Sequence, residues 1–561
     1  MISTRGASAW RIHWIGGIGI VLGFLLRVDQ IEAQILADDE WHSLHYLQYH
    51  GYLDIASHFG ALADYCIPLT LLHRLLYETV GITELALRVV PLAAGIAILI
   101  ALPLLLRPSI GDLAAGILTL LLAVFPLYVY VSRSVRPYSV ALLLALVAVV
   151  ALHRWLQDGT RRHAIAYVVC AALAPWFHLT VVPFVFAPLA WEVLRRLRGS
   201  ALPTGPRLET LLAVGAAAAA AVLLPLGPPL LRDWGAIANK IGGAEFVRET
   251  WREASTLVSG TSHPLVIALW CALAGIGLAV LSRREPALVR VLVVAALFQV
   301  SAILVLQPPI AHAGIVFVRY VLPVTGVLVL GVAVALATWI ERSHSRRGTR
   351  LRELMCVVLV VAWVASGPLP EIHRRPNEWT NHGGLQFDYD MEKSYFATEI
   401  QPRSIPAFYQ TLAAMEPGEV TIAEAPFHYE WHKNVFLYYQ RVHRQHTIVA
   451  DVNELTAHSS PAFRSDDRGA RLRNQLPLVD LVRLRARGVR FVILHRDLRT
   501  EIRGWAYPDP TPDMAPVIRF FELRCGQPVA SDQQLVAFDL QRCTATARRR
   551  AAAVDPALEI R

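Results

Sequence analysis

The chain has 561 residues, 55% of them hydrophobic and 17% charged, and a mean hydropathy of +0.42. That is too apolar for an ordinary soluble protein and reads as a polytopic membrane protein. The formal net charge of +9 does not point to nucleic acid, because the excess Lys and Arg fall in short loops between apolar runs and no basic face with interleaved aromatics appears.

Apolar runs lie near residues 12–28, 87–106, 112–131, 138–155, 163–177, 179–194, 209–231, 263–282, 288–306, 319–340 and 353–369. Most approach the roughly 20 residues that a spanning helix needs. The reading is therefore an α-helical membrane module over 1–370 with about 11 transmembrane helices. The first run is taken as a span rather than a cleaved signal peptide, because membrane-embedded runs follow it. Orientation follows from the cations. Arg5 and Arg11 precede the first run, Arg154, Arg161 and Arg162 follow the fourth, and Arg195, Arg196, Arg198 and Arg207 follow the sixth. Arg283, Arg284 and Arg290 flank the next basic loop, and Arg342, Arg346, Arg347, Arg350 and Arg352 the last. With all of these inside, the N-terminus is cytoplasmic and the polar tail is periplasmic, in a multi-pass protein of the inner (plasma) membrane. The stretch 163–194 must then divide near Trp176–Phe177–His178, because both its ends are basic.

Segment 62–80 decides the parity. It is apolar but holds Asp64, His73, Arg74 and Glu78, and a charge at mid-membrane costs about 2.5–3.5 kcal/mol. A helix lying in the interface fits better. Residues 29–84 thus form one extracytoplasmic loop with amphipathic helices. Beyond 371 the composition changes to that of a small soluble α/β domain, 371–545, with strands near 419–423, 446–452, 489–494 and 534–540 and helices over 430–444 and 479–487. Residues 546–561 read as a disordered tail. Cys66, Cys170, Cys271 and Cys356 lie in or beside apolar runs as core residues; Cys525 and Cys543 share the tail, where an extracytoplasmic location permits a disulfide. The six cysteines show no metal-ligand spacing.

The chemistry starts at Asp38, Asp39 and Glu40, just past the first run. Alone, such acids suit a solvated helix end. The same loop carries His42, His45, His50 and His58; His42 and His45 lie three apart, a spacing that also suits a metal or haem, but no second pair at matching depth supports it. Next comes Ser132-Arg133-Ser134-Val135-Arg136-Pro137-Tyr138, an outer turn that should be poor in Arg yet holds two. Cations on the wrong side suggest an anionic partner, and the planar guanidinium fork suits phosphate. His178 at another outer turn, Arg232 and Lys240 opening the loop 232–262, and Arg319-Tyr320 before a late run repeat the theme. Glu84 and Arg88 are spaced for an intrahelical pair.

Together these residues resemble the GT-C glycosyltransferases, and within them the branch of lipid A aminoarabinose transferases, protein O-mannosyltransferases and RgtA/B/C/D-like bacterial enzymes. The resemblance rests on Asp39-Glu40 after the first span, the amphipathic outer loop, Gly81, Glu84 and Arg88, the Ser132/Arg133/Arg136/Pro137/Tyr138 block, His178, Arg319-Tyr320 and the soluble tail. It covers roughly 10–340 best. One departure is Cys66-Ile67-Pro68, where the family often carries a Pro-Pro pair. The resemblance implies transfer of a sugar from a polyprenyl-phosphate-linked donor to a lipid, glycan or protein acceptor outside the membrane, by one inverting displacement. It makes Asp39 the general base, with Asp38 as fallback, and Glu40 an acceptor-orienting group. Arg136, Tyr138, Arg319, Arg232 and Arg133 would meet the donor phosphate, and His42, His178, Tyr320 and Arg88 would line the site. A carboxylate beside other carboxylates and a low-dielectric surface has a raised pKa, which suits a base. No cofactor is demanded; a divalent metal, held with help from Glu40, belongs to a metal-using variant. Partners are the lipid-linked donor, the acceptor and membrane lipids. Two rival readings are a transporter or flippase for a lipid-linked sugar, which expects charges within spans and inverted repeats, and a non-catalytic scaffold, which expects dispensable acids.

Overall fold

Helices occupy all the apolar runs, as backbone amides without water require. In the computed structural model the described residues are 4–31, 34, 40, 51–60, 66–79, 84–199, 205–343, 345–373, 385, 387, 400–425, 439, 442–449, 481–486, 488–497, 502–504 and 514–543. The chain divides into two units, Met1–Asp388 and Tyr389–Arg561, so the first unit runs past the change of composition at 371.

The first unit is helical. It contains α1 (Thr4–Val28), α2 (Tyr52–Ser57), α3 (Ile67–Thr79), α4 (Glu84–Ile110), α5 (Asp112–Val124), α6 (Pro126–Arg133), α7 (Tyr138–Asp158), α8 (Arg161–Phe177) and α9 (Val182–Leu197). Then follow α10 (Leu208–Arg232), α11 (Trp234–Ala238), α12 (Arg248–Ser259), α13 (Pro264–Arg284), α14 (Pro286–Leu306), α15 (Gly314–Tyr320), α16 (Leu322–Glu341) and α17 (Arg346–Ala365). Among the described residues six helices are long and apolar enough to cross a membrane, namely α4, α7, α10, α13, α14 and α16, and the bent pair α5–α6 makes a seventh. The sequence expectation of about 11 spans also counts α1, α8, α9 and α17. Of these, α8 and α9 have 17 and 16 residues, and the first half of α17 is basic.

Helix α3 has 13 residues, about 20 Å at 1.5 Å per residue, too short to cross a hydrocarbon core of about 30 Å. Its His73 is fully buried and bonds through Nε2 to the Leu87 carbonyl of α4 at 3.1 Å. Burial lowers the His73 pKa to about 4, so the ring is neutral and Nε2 is the donor.

The apolar run at 112–131 is not one straight helix. It bends by 60° between α5 and α6, because Pro126 has no N–H for the Leu122 carbonyl and its ring crowds the preceding turn. Arg27, fully buried at the end of α1, fills the gap. Its Nη2 donates to Leu122 O at 3.1 Å and its Nη1 to Ala123 O at 3.0 Å. Phe125, at the bend, stacks with Trp270 of α13 and Trp363 of α17, with ring centroids 5.9 and 6.0 Å away. Helices α13 and α16 cross closely: a Cβ on Gly277 would fall 1.7 Å from the Gly331 carbonyl oxygen. Only glycine permits that approach.

The second unit is built on a mixed five-stranded sheet. Its strands are β2 (Thr421–Ala425), β3 (His446–Val449), β4 (Val489–His495), β6 (Ala530–Ser531) and β7 (Leu535–Asp539), in the order β3-β2-β4-β7-β6. A separate antiparallel pair joins β1 (Ile400–Pro402) to β5 (Ile502–Gly504). Strand β2 runs parallel to β3 and β4, and β7 runs antiparallel to β4 and β6. Three helices, α18 (Ala407–Ala413), α19 (Leu481–Ala486) and α20 (Ala515–Cys525), accompany the strands. Phe408, Tyr409 and Leu412 of α18 pack with Ile422, Phe491 and Ile493. Cys525 and Cys543 are joined in a disulfide. Most of the helix expected at 430–444, and all of 546–561, lie outside the described residues.

Candidate active site

The site is assembled from three turns at one end of the first unit. The first follows α6. Glu40 is 6% exposed, and its Oε1 accepts the Val135 N–H at 2.7 Å. Arg88 of α4, fully buried, donates from Nη2 to both Glu40 oxygens, at 3.2 and 3.1 Å, and from Nη1 to the Gln34 carbonyl at 2.7 Å. Arg133 Nε donates to Gln34 Oε1 at 2.9 Å, and its guanidinium lies 4.2 Å from the Phe387 ring centroid. Two buried arginines and one carboxylate thus fix the chain leaving α1 onto the turn between α6 and α7. A buried carboxylate needs such a set, because its desolvation is offset only by close charge and hydrogen bonds.

One residue beyond Val135, Arg136 opens the second group. Its guanidinium carbon lies 5.7 Å from the Tyr138 ring centroid, and that of Arg319 lies 5.4 Å from the same ring. The His178 ring stands 5.3 Å from Tyr138 and 6.0 Å from Tyr320. Arg136, His178 and Arg319, from three turns distant in sequence, therefore converge on the Tyr138 ring, and Tyr320 joins them through His178. His178 sits in the turn between α8 and α9. Its enclosure, and then the charges of Arg136, Lys240 and Arg319, lower its pKa to about 3. At pH 7 the imidazole is neutral, with one donor and one acceptor nitrogen, amid positive charge. On another side, burial pushes the Cys66 thiol up to about 12, although the Arg136 charge pulls it down. Cys66 is an inert wall here rather than a nucleophile.

The third turn is held by a residue that the sequence reading passed over. Gln299 lies in the middle of apolar α14 and is fully buried. Its Nε2 donates to the Thr180 carbonyl at 2.8 Å and the Tyr320 carbonyl at 2.6 Å, and its Oε1 accepts the Phe184 N–H at 3.0 Å. One amide thereby ties the His178 turn to the Arg319–Tyr320 turn. Thr180 Oγ1 and His178 Nδ1 share a hydrogen bond of 2.6 Å, which orients the ring. The run expected to begin a span at 319 instead starts with a separate short helix, α15, and α16 begins at Leu322. The Glu253 carboxylate of α12 caps α15, accepting the Gly314 and Ile315 N–H groups at 2.8 and 3.2 Å. A lone glutamine within an apolar run was the available signal for Gln299, since a buried amide must find partners.

The other expected residues divide. Arg88, read as a partner of Glu84, serves Glu40 and Gln34; the Glu84 side chain lies outside the described residues. Arg133 holds Gln34, in the chain leaving α1. Arg232 clasps the end of α2, donating to Ser57 Oγ at 2.8 Å, and its neighbour Asp233 bonds His58 Nδ1 at 3.1 Å. Asp38, Asp39 and His42 lie outside the described residues. Glu40 does not fit the metal-binding role: its carboxylate is engaged by Arg88 and the Val135 N–H. Among the described residues no group of three or more His, Cys, Asp or Glu could hold a metal ion.

What the arrangement can do is hold an anion. Two guanidiniums that share one aromatic ring, beside a neutral imidazole, concentrate positive charge at these turns, and the guanidinium fork is a group suited to phosphate.

No family model and no curated protein matches the chain. Among solved structures, it is similar to apo ArnT from Cupriavidus metallidurans, at 12% identity and a TM-score of 0.47 over 96% of this chain and 100% of that one. The undecaprenyl-phosphate complex of ArnT gives 12% identity and a TM-score of 0.47 over 97% and 99% of the two chains. The Archaeoglobus fulgidus oligosaccharyltransferase in complex with Zn and sulfate gives 12% identity and a TM-score of 0.46, over 86% of this chain and 68% of that one.

Proposed function

We propose that the chain is a membrane glycosyltransferase that moves a sugar from a polyprenyl-phosphate-linked donor to an acceptor on the extracytoplasmic face. The observation that carries this reading is the hydrogen bond from the Val135 N–H to Glu40, 2.7 Å long. It fastens Glu40 to the turn that supplies Arg136, and Arg136 shares the Tyr138 ring with Arg319. A carboxylate base and a phosphate-binding pair are the two functions this reaction needs, and the sequence sets Asp39 directly before Glu40.

In the proposed reaction an acceptor hydroxyl attacks the anomeric carbon. The C–O bond to the donor phosphate breaks, and the phosphate leaves with the electron pair. A phosphate leaves readily as an anion, so the site needs cations rather than a general acid. Arg136 and Arg319 stabilise the charge that grows on the leaving oxygen. Asp39 takes the hydroxyl proton as general base, and Asp38 is its fallback. A single displacement inverts the anomeric centre. Neutral His178 and Tyr320 line the pocket without adding charge. Arg88 and Glu40 act by positioning, as does Gln299. The disulfide in the second unit supports an extracytoplasmic tail, because such bonds persist in oxidising compartments. With the basic loops inside, the N-terminus is then cytoplasmic.

The test is sugar transfer in proteoliposomes from radiolabelled polyprenyl-phosphate sugars, comparing wild type with Asp39→Asn, Arg136→Gln and Arg319→Gln. Asp39→Asn should abolish transfer in a folded protein. Each arginine variant should lower the rate by about 10²–10³, the cost of removing one group that stabilises developing charge. Equal transfer by Asp39→Asn and wild type would move the base to Asp38. No transfer by wild type with any donor sugar would overturn the enzyme reading.

A further inference from the structure

A second polar cavity lies at the opposite end of the same helices. Helix α7 carries Tyr138 at its start and His153 near its end, about 22 Å apart at 1.5 Å per residue. There α7, α9 and α14 enclose a cavity of about 280 Å3. Its polar lining is His153, Gln157, Glu192 and Arg290, and Pro188 and Trp191 are among its apolar walls. His153 is 1% exposed, yet neither ring nitrogen has a hydrogen-bond partner among the described residues. An imidazole always presents at least one donor, and burying it unsatisfied is unfavourable. Glu192, the one carboxylate in the lining, is already held by Arg195 at 3.0 Å and by Arg196 at 3.1 Å. That leaves the Arg290 guanidinium on the wall with no carboxylate partner among the described residues.

We infer that this cavity binds the phosphate group of an anionic phospholipid. The local charge is positive: Glu192 meets two arginines, Arg290 adds a third cation, and Glu285, which accepts from Gln157 Nε2 at 3.4 Å, offsets only one of them. Arg290 supplies the charge-assisted contact to phosphate, and His153 supplies a hydrogen bond to the phosphate or its ester oxygens. Leu156, Val291 and Val294 offer apolar wall for the start of the acyl chains. Basic pockets between spanning helices at a membrane surface are suited to such headgroups. The cavity lies a full helix length from Tyr138 and does not depend on the proposed reaction.

The test uses the full chain purified in a neutral detergent and follows its unfolding midpoint by tryptophan fluorescence. Three additions are compared: short-chain phosphatidylglycerol, short-chain phosphatidylcholine and inorganic phosphate. A ligand that binds only the folded state raises the midpoint in proportion to its saturation. The expected result is a rise with phosphatidylglycerol alone. Arg290→Gln and His153→Leu should each shift its half-saturating concentration upward by about five- to ten-fold, the effect of one lost contact. Arg161→Gln, an exposed cation at the same end, should leave it unchanged. Equal rises with the two lipids would overturn the headgroup assignment, and an equal rise with inorganic phosphate would overturn the lipid assignment. A response of Arg290→Gln identical to wild type would remove the site altogether.

Discussion

Arg88 Nη2 bonds both carboxylate oxygens of Glu40, at 3.2 and 3.1 Å, although the two residues are 48 apart in the chain. Both are buried, at 0% and 6% exposure. Removing one member of such a pair strands the other charge, which typically costs about 3–5 kcal/mol. Arg88→Ala should therefore lower unfolding stability in detergent by that amount. Glu40→Gln should cost less, because the amide oxygen still accepts the Val135 N–H. The double variant should recover part of the loss. A change under about 1 kcal/mol for Arg88→Ala, the range of an exposed pair, would show that the contact is not desolvated in solution.

Gln299 predicts a different kind of defect. Gln299→Leu keeps the volume nearly constant but leaves the Thr180 and Tyr320 carbonyls and the Phe184 N–H without this partner. Each buried group left unsatisfied costs about 1–3 kcal/mol. The variant should be less stable, and its transfer should suffer mainly through a higher KM for the lipid-linked donor, because the Arg319 and His178 turns are no longer tied together. Kinetics across donor concentrations would distinguish this from a loss in kcat.

Buried histidines, His73, His178 and His443 among them, set the acid limit. Burial, aided at His178 by neighbouring cations, lowers His73 to about 4 and His178 and His443 to about 3. An unfolded histidine titrates near about 6.5. Between these values the unfolded chain binds more protons than the folded one, so stability falls as pH falls. Thermal midpoints should be flat above about pH 7 and decline below about pH 6.5. His443→Gln and His73→Gln should each reduce that decline. A midpoint that rises on acidification would contradict the neutral assignment. In the same way, transfer should lack an acid limb near about pH 6.5 from His178.

The Cys525–Cys543 disulfide closes a loop with a sequence separation of 18. Chain-entropy arguments put its contribution at about 3 kcal/mol. Cys525→Ser with Cys543→Ser should make the second unit more sensitive to limited proteolysis without altering the helical first unit. Equal digestion of variant and wild type would show the bond to be dispensable.

The length of the apolar runs made the helices legible, because such runs have no alternative to the helix in lipid. The charge content of 62–80 argued against a span, and α3, with 13 residues, is too short to be one. The convergence of Arg136, Tyr138, His178, Arg319 and Tyr320 was legible as cations recurring at one set of turns. What escaped were relations between distant residues. Nothing local says that Arg88 serves Glu40, 48 residues away in the chain. Pro126 was visible, but its bend depends on a partner for the freed carbonyls, and Arg27 lies in another helix. Gln299 looked like one polar residue among many apolar ones, and its three bonds exist only once three segments meet.

The bend at Pro126 also acts as a mechanical stop. Arg27 Nη1 and Nη2 grip the Ala123 and Leu122 carbonyls that the bend exposes, at 3.0 and 3.1 Å. Sliding α1 along its neighbour by one turn would move that guanidinium about 5.4 Å from its only matching seat. The hold on α1 against such sliding therefore rests on a proline about one hundred residues later in the sequence. A straight α5–α6 would offer Arg27 no freed carbonyls to hold.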